Sequence, residues 1–264
     1  MTRHSTLALV IGAALTLFAH TASAQRGEVK AWRLNGETRR AIVYAPSVKS
    51  ASGRAPLVFS FHGRGDDMQN FQHTDLHRAW PEAIVVYFDG LPGRGGGLSG
   101  WQVEAGQDDD RDLALVDAAL ASFREEFNVD EARIYATGFS NGAGFTYLLW
   151  SARPAVFAAF APVAGRLRPS VVLKQPRPLF HIAGTEDPQI LFADQQVAID
   201  AAKRVNGATG KGASCGTGCT LFASPGGAPV MTWIHSGGHE YPESTSDRIA
   251  KFFREHPQTN RRDR

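Results

Sequence analysis

Arg133-Ile134-Tyr135-Ala136-Thr137, followed at once by Gly138-Phe139-Ser140-Asn141-Gly142, is the stretch on which the fold turns. The first five residues form a short branched and aromatic run of the kind that makes a buried strand, and residues 141–150 read as a helix. A serine set between strand and helix, with glycines two before and two after it, has the context of a nucleophile elbow. Such a serine occupies a tight, strained turn that lifts its hydroxyl clear of the sheet. Glycine at both flanking positions removes the Cβ atoms that would collide with neighbouring backbone. At the start of a helix the serine also gains the positive end of the helix dipole, which favours developing negative charge. An ordinary glycine-flanked loop is the alternative, and it leaves the placement of both glycines unexplained.

Further short apolar runs lie at 57–61, 84–88, 158–163, 179–183 and 230–234, and a hairpin at 29–34 and 38–44 turns on Asn35-Gly36. With residues 133–137 this makes about eight strands. Between them, residues 110–127 carry Leu113, Val116, Leu120 and Phe123 on one helical face with Asp110 as N-cap, and helices are expected at 141–150, 189–205 and 244–256. Alternating strands and helices imply an α/β class: a mostly parallel central sheet with helices on both faces, in one domain over 25–264. Residues 91–100 and 205–227 are dense in glycine and read as loops. In open α/β sheets, loops at the carboxyl ends of strands line the ligand crevice.

A serine hydroxyl needs a histidine to take its proton and a carboxylate to fix that imidazole's tautomer. Asp187 follows the 179–183 strand in Gly184-Thr185-Glu186-Asp187-Pro188, and His239 follows the last strand in Ser236-Gly237-Gly238-His239-Glu240. The order Ser140, Asp187, His239, each at a strand end, makes them the candidate nucleophile, acid and base. Singly, Asp187 could be a turn residue and His239 a surface histidine. Glu186 and His235 are the reserve acid and base, and His181 reads as a core or pocket-floor residue. His62-Gly63-Arg64-Gly65 follows the 57–61 strand, and the amides of Arg64 and Asn141 are assigned to an oxyanion hole. His62 is expected to bond loop backbone, and Asp66 and Asp67 to cap the next helix. Trp101 is a candidate substrate-binding aromatic, with packing as its alternative.

With 28 Lys and Arg against 26 Asp and Glu, the formal charge is +2, and no basic stripe interleaved with aromatics appears, so no nucleic-acid partner is expected. Residues 1–24 have a basic start, an apolar run at 7–18 and Ala22-Ser23-Ala24, which reads as a signal peptide. A secreted or periplasmic mature protein is expected, without a membrane partner after cleavage, because the apolar run is shorter than the roughly 20 residues needed to span a bilayer. Cys215 and Cys219 are expected to form a disulfide in that compartment. Two thiolates without nearby histidines fall short of a closed zinc shell, so no metal site is expected.

The chain resembles the secreted α/β-hydrolase esterase family that includes feruloyl esterases, acetyl xylan esterases and short polyhydroxybutyrate depolymerases. The resemblance rests on residues 57–65, Asp112-Leu113-Ala114-Leu115-Val116, Gly138-Phe139-Ser140-Asn141-Gly142, residues 181–187 and Gly237-Gly238-His239-Glu240-Tyr241-Pro242. Tyr241 stands where many relatives have Trp. The resemblance implies the α/β-hydrolase fold and cofactor-free hydrolysis of a small-molecule or polymer carboxylic ester through an acyl-enzyme. The alternatives are a polyhydroxybutyrate depolymerase and, in a different class, a non-catalytic hydrolase-fold binding protein. Such binding proteins usually lose part of the residue set that is complete here.

Overall fold

A computed structural model describes residues 25–258 of the chain. The expected signal peptide at 1–24 lies outside the described residues. In chain order the elements are β1 (Glu28–Leu34), β2 (Glu37–Tyr44), β3 (Ala55–Phe61), α1 (Met68–Phe71), α2 (Leu76–Ala79), β4 (Ile84–Phe88), β5 (Leu91–Gly93), β6 (Gly96–Gly100), α3 (Arg111–Glu126), β7 (Val129–Phe139), α4 (Asn141–Ala152), β8 (Ala159–Val163), β9 (Leu179–Gly184), α5 (Phe192–Asn206), β10 (Ala213–Gly216), β11 (Cys219–Phe222), β12 (Val230–His235) and α6 (Thr245–Glu255).

The main sheet has the order β1-β2-β4-β3-β7-β8-β9-β12-β11-β10. Its centre, β4-β3-β7-β8-β9-β12, is parallel, and antiparallel pairs close both edges. Ten strands are present where about eight were expected. The extra two, β10 and β11, come from the glycine-dense 205–227 segment, and a second such segment pairs as the separate β5–β6 hairpin. Glycine weakens a strand without removing its backbone donors and acceptors, so a neighbouring edge such as β12 can still recruit it. Cys215 and Cys219 are disulfide-bonded across the β10–β11 turn, with Cα atoms 5.0 Å apart.

The central strands are apolar on both faces because both are covered. Leu57, Phe59 and Phe61 of β3 and Ile84, Val86 and Phe88 of β4 point to one core, shared with Leu113, Val116 and Phe123 of α3, Phe145 of α4 and Ile199 of α5. The alternate residues Val58, Val85 and Tyr87 point to a second core, with Met68, Phe71, Leu76 and the α6 residues Ile249, Phe252 and Phe253. The period-two alternation of β-strands thus divides the helices between two layers.

Helix starts differ in detail from expectation. Asp67 caps α1 through the Asn70 amide, at 2.8 Å. Asp110 occupies the cap position of α3 without capping it: its Oδ1 accepts instead from Gln102 Nε2 and the Gly106 amide. Helix α5 begins at Phe192, later than residue 189, because Gln189 and Ile190 donate their amides to Asp187 in a turn.

Candidate active site

Ser140 joins β7 to α4 with φ 55° and ψ −112°, a conformation that costs a non-glycine residue on the order of 1–3 kcal/mol. The turn is held from behind by the Ser140 amide, which donates to Val163 O at 2.9 Å. A Cβ on Gly142 would lie 2.2 Å from Phe61 O, and one on Gly138 would lie 2.5 Å from the Gly142 carbonyl carbon. Both glycines are therefore required by close backbone approach, and Gly142 seats the elbow directly on the end of β3.

Asp187 and His239 lie on the loops after β9 and β12, parallel neighbours in the sheet. The two loops are stitched together: Thr185 N donates to His235 O at 2.8 Å and Glu186 N to Gly237 O at 3.1 Å. A Cβ on Gly184 would meet Gly237 O at 2.3 Å, so the loops approach as closely as backbone allows. The structure brings Ser140, His239 and Asp187 together: His239 Nε2 lies 2.8 Å from Ser140 Oγ, and His239 Nδ1 lies 2.8 Å from Asp187 Oδ2. Asp187 is buried, and Oδ1 accepts the amides of Gln189 and Ile190, both at 2.9 Å. Phe139 packs against the His239 ring at 4.9 Å between centroids. The reserve residues stand apart: Glu186 is exposed, and His235 Nδ1 accepts the Gly237 amide at 3.1 Å.

On the opposite side of Ser140, the loop after β3 carries the other expected groups. The Gly65 amide donates to Ser99 O and the Asp66 amide to Gly63 O. The amides of Arg64 and Asn141 have no acceptor among the described residues. Both residues line one cleft with Leu98, Gly100 and Trp101. His62 is fully buried and bonds loop backbone: Nε2 accepts the Gly90 amide at 2.8 Å, so Nδ1 carries the proton donated to Gly63 O at 2.6 Å. Burial pushes the His62 pKa below the usual histidine value, which keeps this tautomer neutral.

Trp101 is placed differently from the expectation of a substrate-facing ring. It is only 4% exposed, its indole N–H donates to His62 O at 2.9 Å, and its ring stacks on Phe145 at 5.7 Å. An indole in this setting packs the core and ties down the His62 carbonyl. Its backbone is held by the side chain of Asn141, whose Oδ1 accepts the Trp101 amide at 2.7 Å while Nδ2 donates to Trp101 O at 3.1 Å.

Two residues absent from the sequence reading matter here. Gln102 accepts the amides of Asp112 and Leu113 and donates to Asp110, closing the start of α3, while its own amide donates to Asp112 Oδ2 at 2.7 Å. Gln195 lies in the buried stripe of α5 with Ala198, Ile199 and Ala202, and its Nε2 donates to Asp187 Oδ2 at 3.1 Å. A glutamine inside an apolar helical stripe is the signal that could have singled it out.

No protein-family model matches the chain. Over 172 residues it is 35% identical to a bifunctional acetylxylan esterase/xylanase from Neocallimastix patriciarum, covering 62% of this chain and 23% of that protein. Over 143 residues it is 32% identical to feruloyl esterase C from Emericella nidulans, covering 51% of this chain and 48% of that protein. The chain is thus similar in sequence to proteins named as acetylxylan and feruloyl esterases. It spans less than half the length of these curated relatives. Among solved structures, an acetyl xylan esterase from Aspergillus awamori superposes with a TM-score of 0.66 at 16% identity, covering 86% of this chain and 99% of that one. The likeness to that structure shows the α/β-hydrolase fold. In this chain Ser140, Asp187 and His239 follow the carboxyl ends of β7, β9 and β12.

Proposed function

We propose that the protein is an exported serine carboxylic ester hydrolase of the feruloyl and acetyl xylan esterase kind, acting through an acyl-enzyme. The observation that carries the reading is the unbroken relay from Ser140 Oγ to His239 Nε2 and from His239 Nδ1 to Asp187, with both links at 2.8 Å. Ser140 Oγ attacks the ester carbonyl as its proton passes to His239 Nε2. The negative charge that forms on the carbonyl oxygen is met by the uncommitted amides of Arg64 and Asn141. Collapse of the tetrahedral adduct breaks the bond to the alkoxy oxygen, which leaves as the alcohol with the proton from His239. Water then attacks the acyl-enzyme by the same route, giving up one proton to His239 and releasing the acid and Ser140. Asp187 remains ionised and holds the imidazole in the Nδ1–H form throughout.

The substrate class is supported by the relatives named for acetylxylan and feruloyl esters. Ser140→Ala should fold and lose on the order of 10⁴-fold or more of the kcat for p-nitrophenyl acetate. Turnover close to wild type by the folded variant would remove the serine from its role. A panel of methyl ferulate, acetylated xylan and hydroxybutyrate oligomers separates the substrate classes, and preference for the last would replace this reading by a depolymerase. Export predicts a mature chain beginning at Gln25, readable by N-terminal sequencing of the secreted protein.

A further inference from the structure

We propose that Gln195 is a positioning residue for Asp187, backed by a buried chain of hydrogen bonds that runs from it through His181 to Tyr147. The inference rests on the esterase reading above and adds a device behind the acid. Its members come from three neighbouring elements, Tyr147 on α4, His181 on β9 and Gln195 on α5, and none is more than 1% exposed. The links are Tyr147 Oη to His181 Nδ1 at 2.7 Å, His181 Nε2 to Gln195 Oε1 at 3.3 Å and Gln195 Nε2 to Asp187 Oδ2 at 3.1 Å.

Chemistry alone fixes the direction of this chain. Gln195 faces Asp187 Oδ2 and, at 2.8 Å, Ile190 O, both of which only accept, so that end of the amide is its NH2. Gln195 Oε1 then faces His181, whose Nε2 must carry the hydrogen. His181 Nδ1 is left with a lone pair, and the Tyr147 hydroxyl donates to it. Burial lowers the His181 pKa to about 4 and raises that of Tyr147, so both stay neutral across the range in which esters are assayed.

The end point distinguishes this chain from a polar group satisfied for its own sake. Oδ2 of Asp187, which receives Gln195, is also the oxygen that receives His239 Nδ1. Oδ1 is occupied by two backbone amides of its own turn. Rotation of the carboxylate is thereby blocked from one side by backbone and from the other by Gln195. A reversed Gln195 amide would turn its carbonyl against the carboxylate and against Ile190 O, and these two acceptors forbid the reversal. The Tyr147 hydroxyl, which can donate or accept, follows the Nε2–H form of His181 by donating to its Nδ1.

The test is steady-state kinetics on p-nitrophenyl acetate with Gln195→Leu, Tyr147→Phe and the double variant, together with ¹⁵N NMR of the His181 tautomer in the wild type. Gln195→Leu should lower kcat about 10-fold with KM changed by less than about two-fold, the pattern of a lost transition-state alignment. Tyr147→Phe should lower kcat by about three-fold, and the double variant should be no worse than Gln195→Leu, since coupled residues are non-additive. The NMR spectrum should show His181 protonated at Nε2, a readout that needs no variant to fold. An unchanged kcat in folded Gln195→Leu, additive losses, or His181 protonated at Nδ1 would each overturn the inference alone. A wild type inert to the whole ester panel and unlabelled by a fluorophosphonate would overturn the esterase reading and this inference with it.

Discussion

On the side of Ser140 that carries Arg64 and Asn141 the buried polar contacts run through a charged pair, whereas on the Asp187 side they run through neutral groups that end on that single carboxylate. Arg39 Nη2 lies 2.7 Å from Asp112 Oδ1 with both side chains at most 1% exposed, and Asp112 passes the restraint to Gln102, next to Trp101 and thence to Asn141. The approach lies off the guanidinium N–H directions, so the attraction is Coulombic, and Arg39 Nε finds no acceptor among the described residues. On the other side, Tyr147, His181 and Gln195 bring no charge to Asp187. A charged pair suits a job of pinning backbone, because its attraction tolerates imperfect alignment. Neutral donors suit the carboxylate, because they fix its orientation and leave its charge to His239.

The comparison breaks most visibly at Asp112. Asp112→Ala strands the Arg39 guanidinium without its counter-charge and removes the acceptor for the Gln102 amide, so it should destabilise the protein by about 3–5 kcal/mol in urea unfolding. Arg39→Met combined with Asp112→Leu should recover part of that loss, since the uncompensated charge is then gone. A double variant as unstable as Asp112→Ala would mean that the Gln102 contact, and not the charge pair, carries the region.

On the Asp187 side the response to acid runs through His181. His181 has a folded pKa of about 4 against an ordinary value of 6.5, because burial disfavours the charged ring. Above pH 6.5 both folded and unfolded forms are neutral at this site and it adds no slope. As pH falls below 6.5 the unfolded ring takes up a proton that the folded ring refuses, so stability falls until about pH 4, where the slope ends. The loss attributable to this ring is on the order of 3 kcal/mol. Urea midpoints at pH 7 and pH 4.5 measure it, and His181→Asn should flatten the dependence. An equal slope in that variant would assign the acid sensitivity elsewhere, to His77 first, whose pKa burial also lowers to about 4.

The same contrast explains what could be read in advance. The central strands were legible because burial on both faces leaves them continuously apolar, and Ser140, Asp187 and His239 were legible because each sits at a strand end in a glycine-rich turn. The strands β5, β6, β10 and β11 were not, since glycine and small polar residues carry no periodicity and pair only because a neighbour offers its edge. The roles of Gln102 and Gln195 were hidden for a different reason, although Gln195 stands out as a glutamine inside the apolar stripe of α5. Their role depends on which helix start or carboxylate the tertiary fold brings within reach, and single-sequence spacing holds no record of that.

Trp101 gives the smallest and most discriminating test, because it lies where the charged side meets the elbow. Its indole N–H satisfies His62 O and its ring fills the space between Phe61 and Phe145. Trp101→Phe keeps an aromatic there and leaves the His62 carbonyl without that donor, which should cost about 1–2 kcal/mol in urea unfolding. The KM for methyl ferulate should stay within about two-fold of wild type, since a side chain with 4% exposure offers an aromatic acyl group almost no face. A several-fold rise in KM with stability intact would reverse the assignment, putting the ring against the substrate and leaving His62 to be held by Gly63 and Gly90.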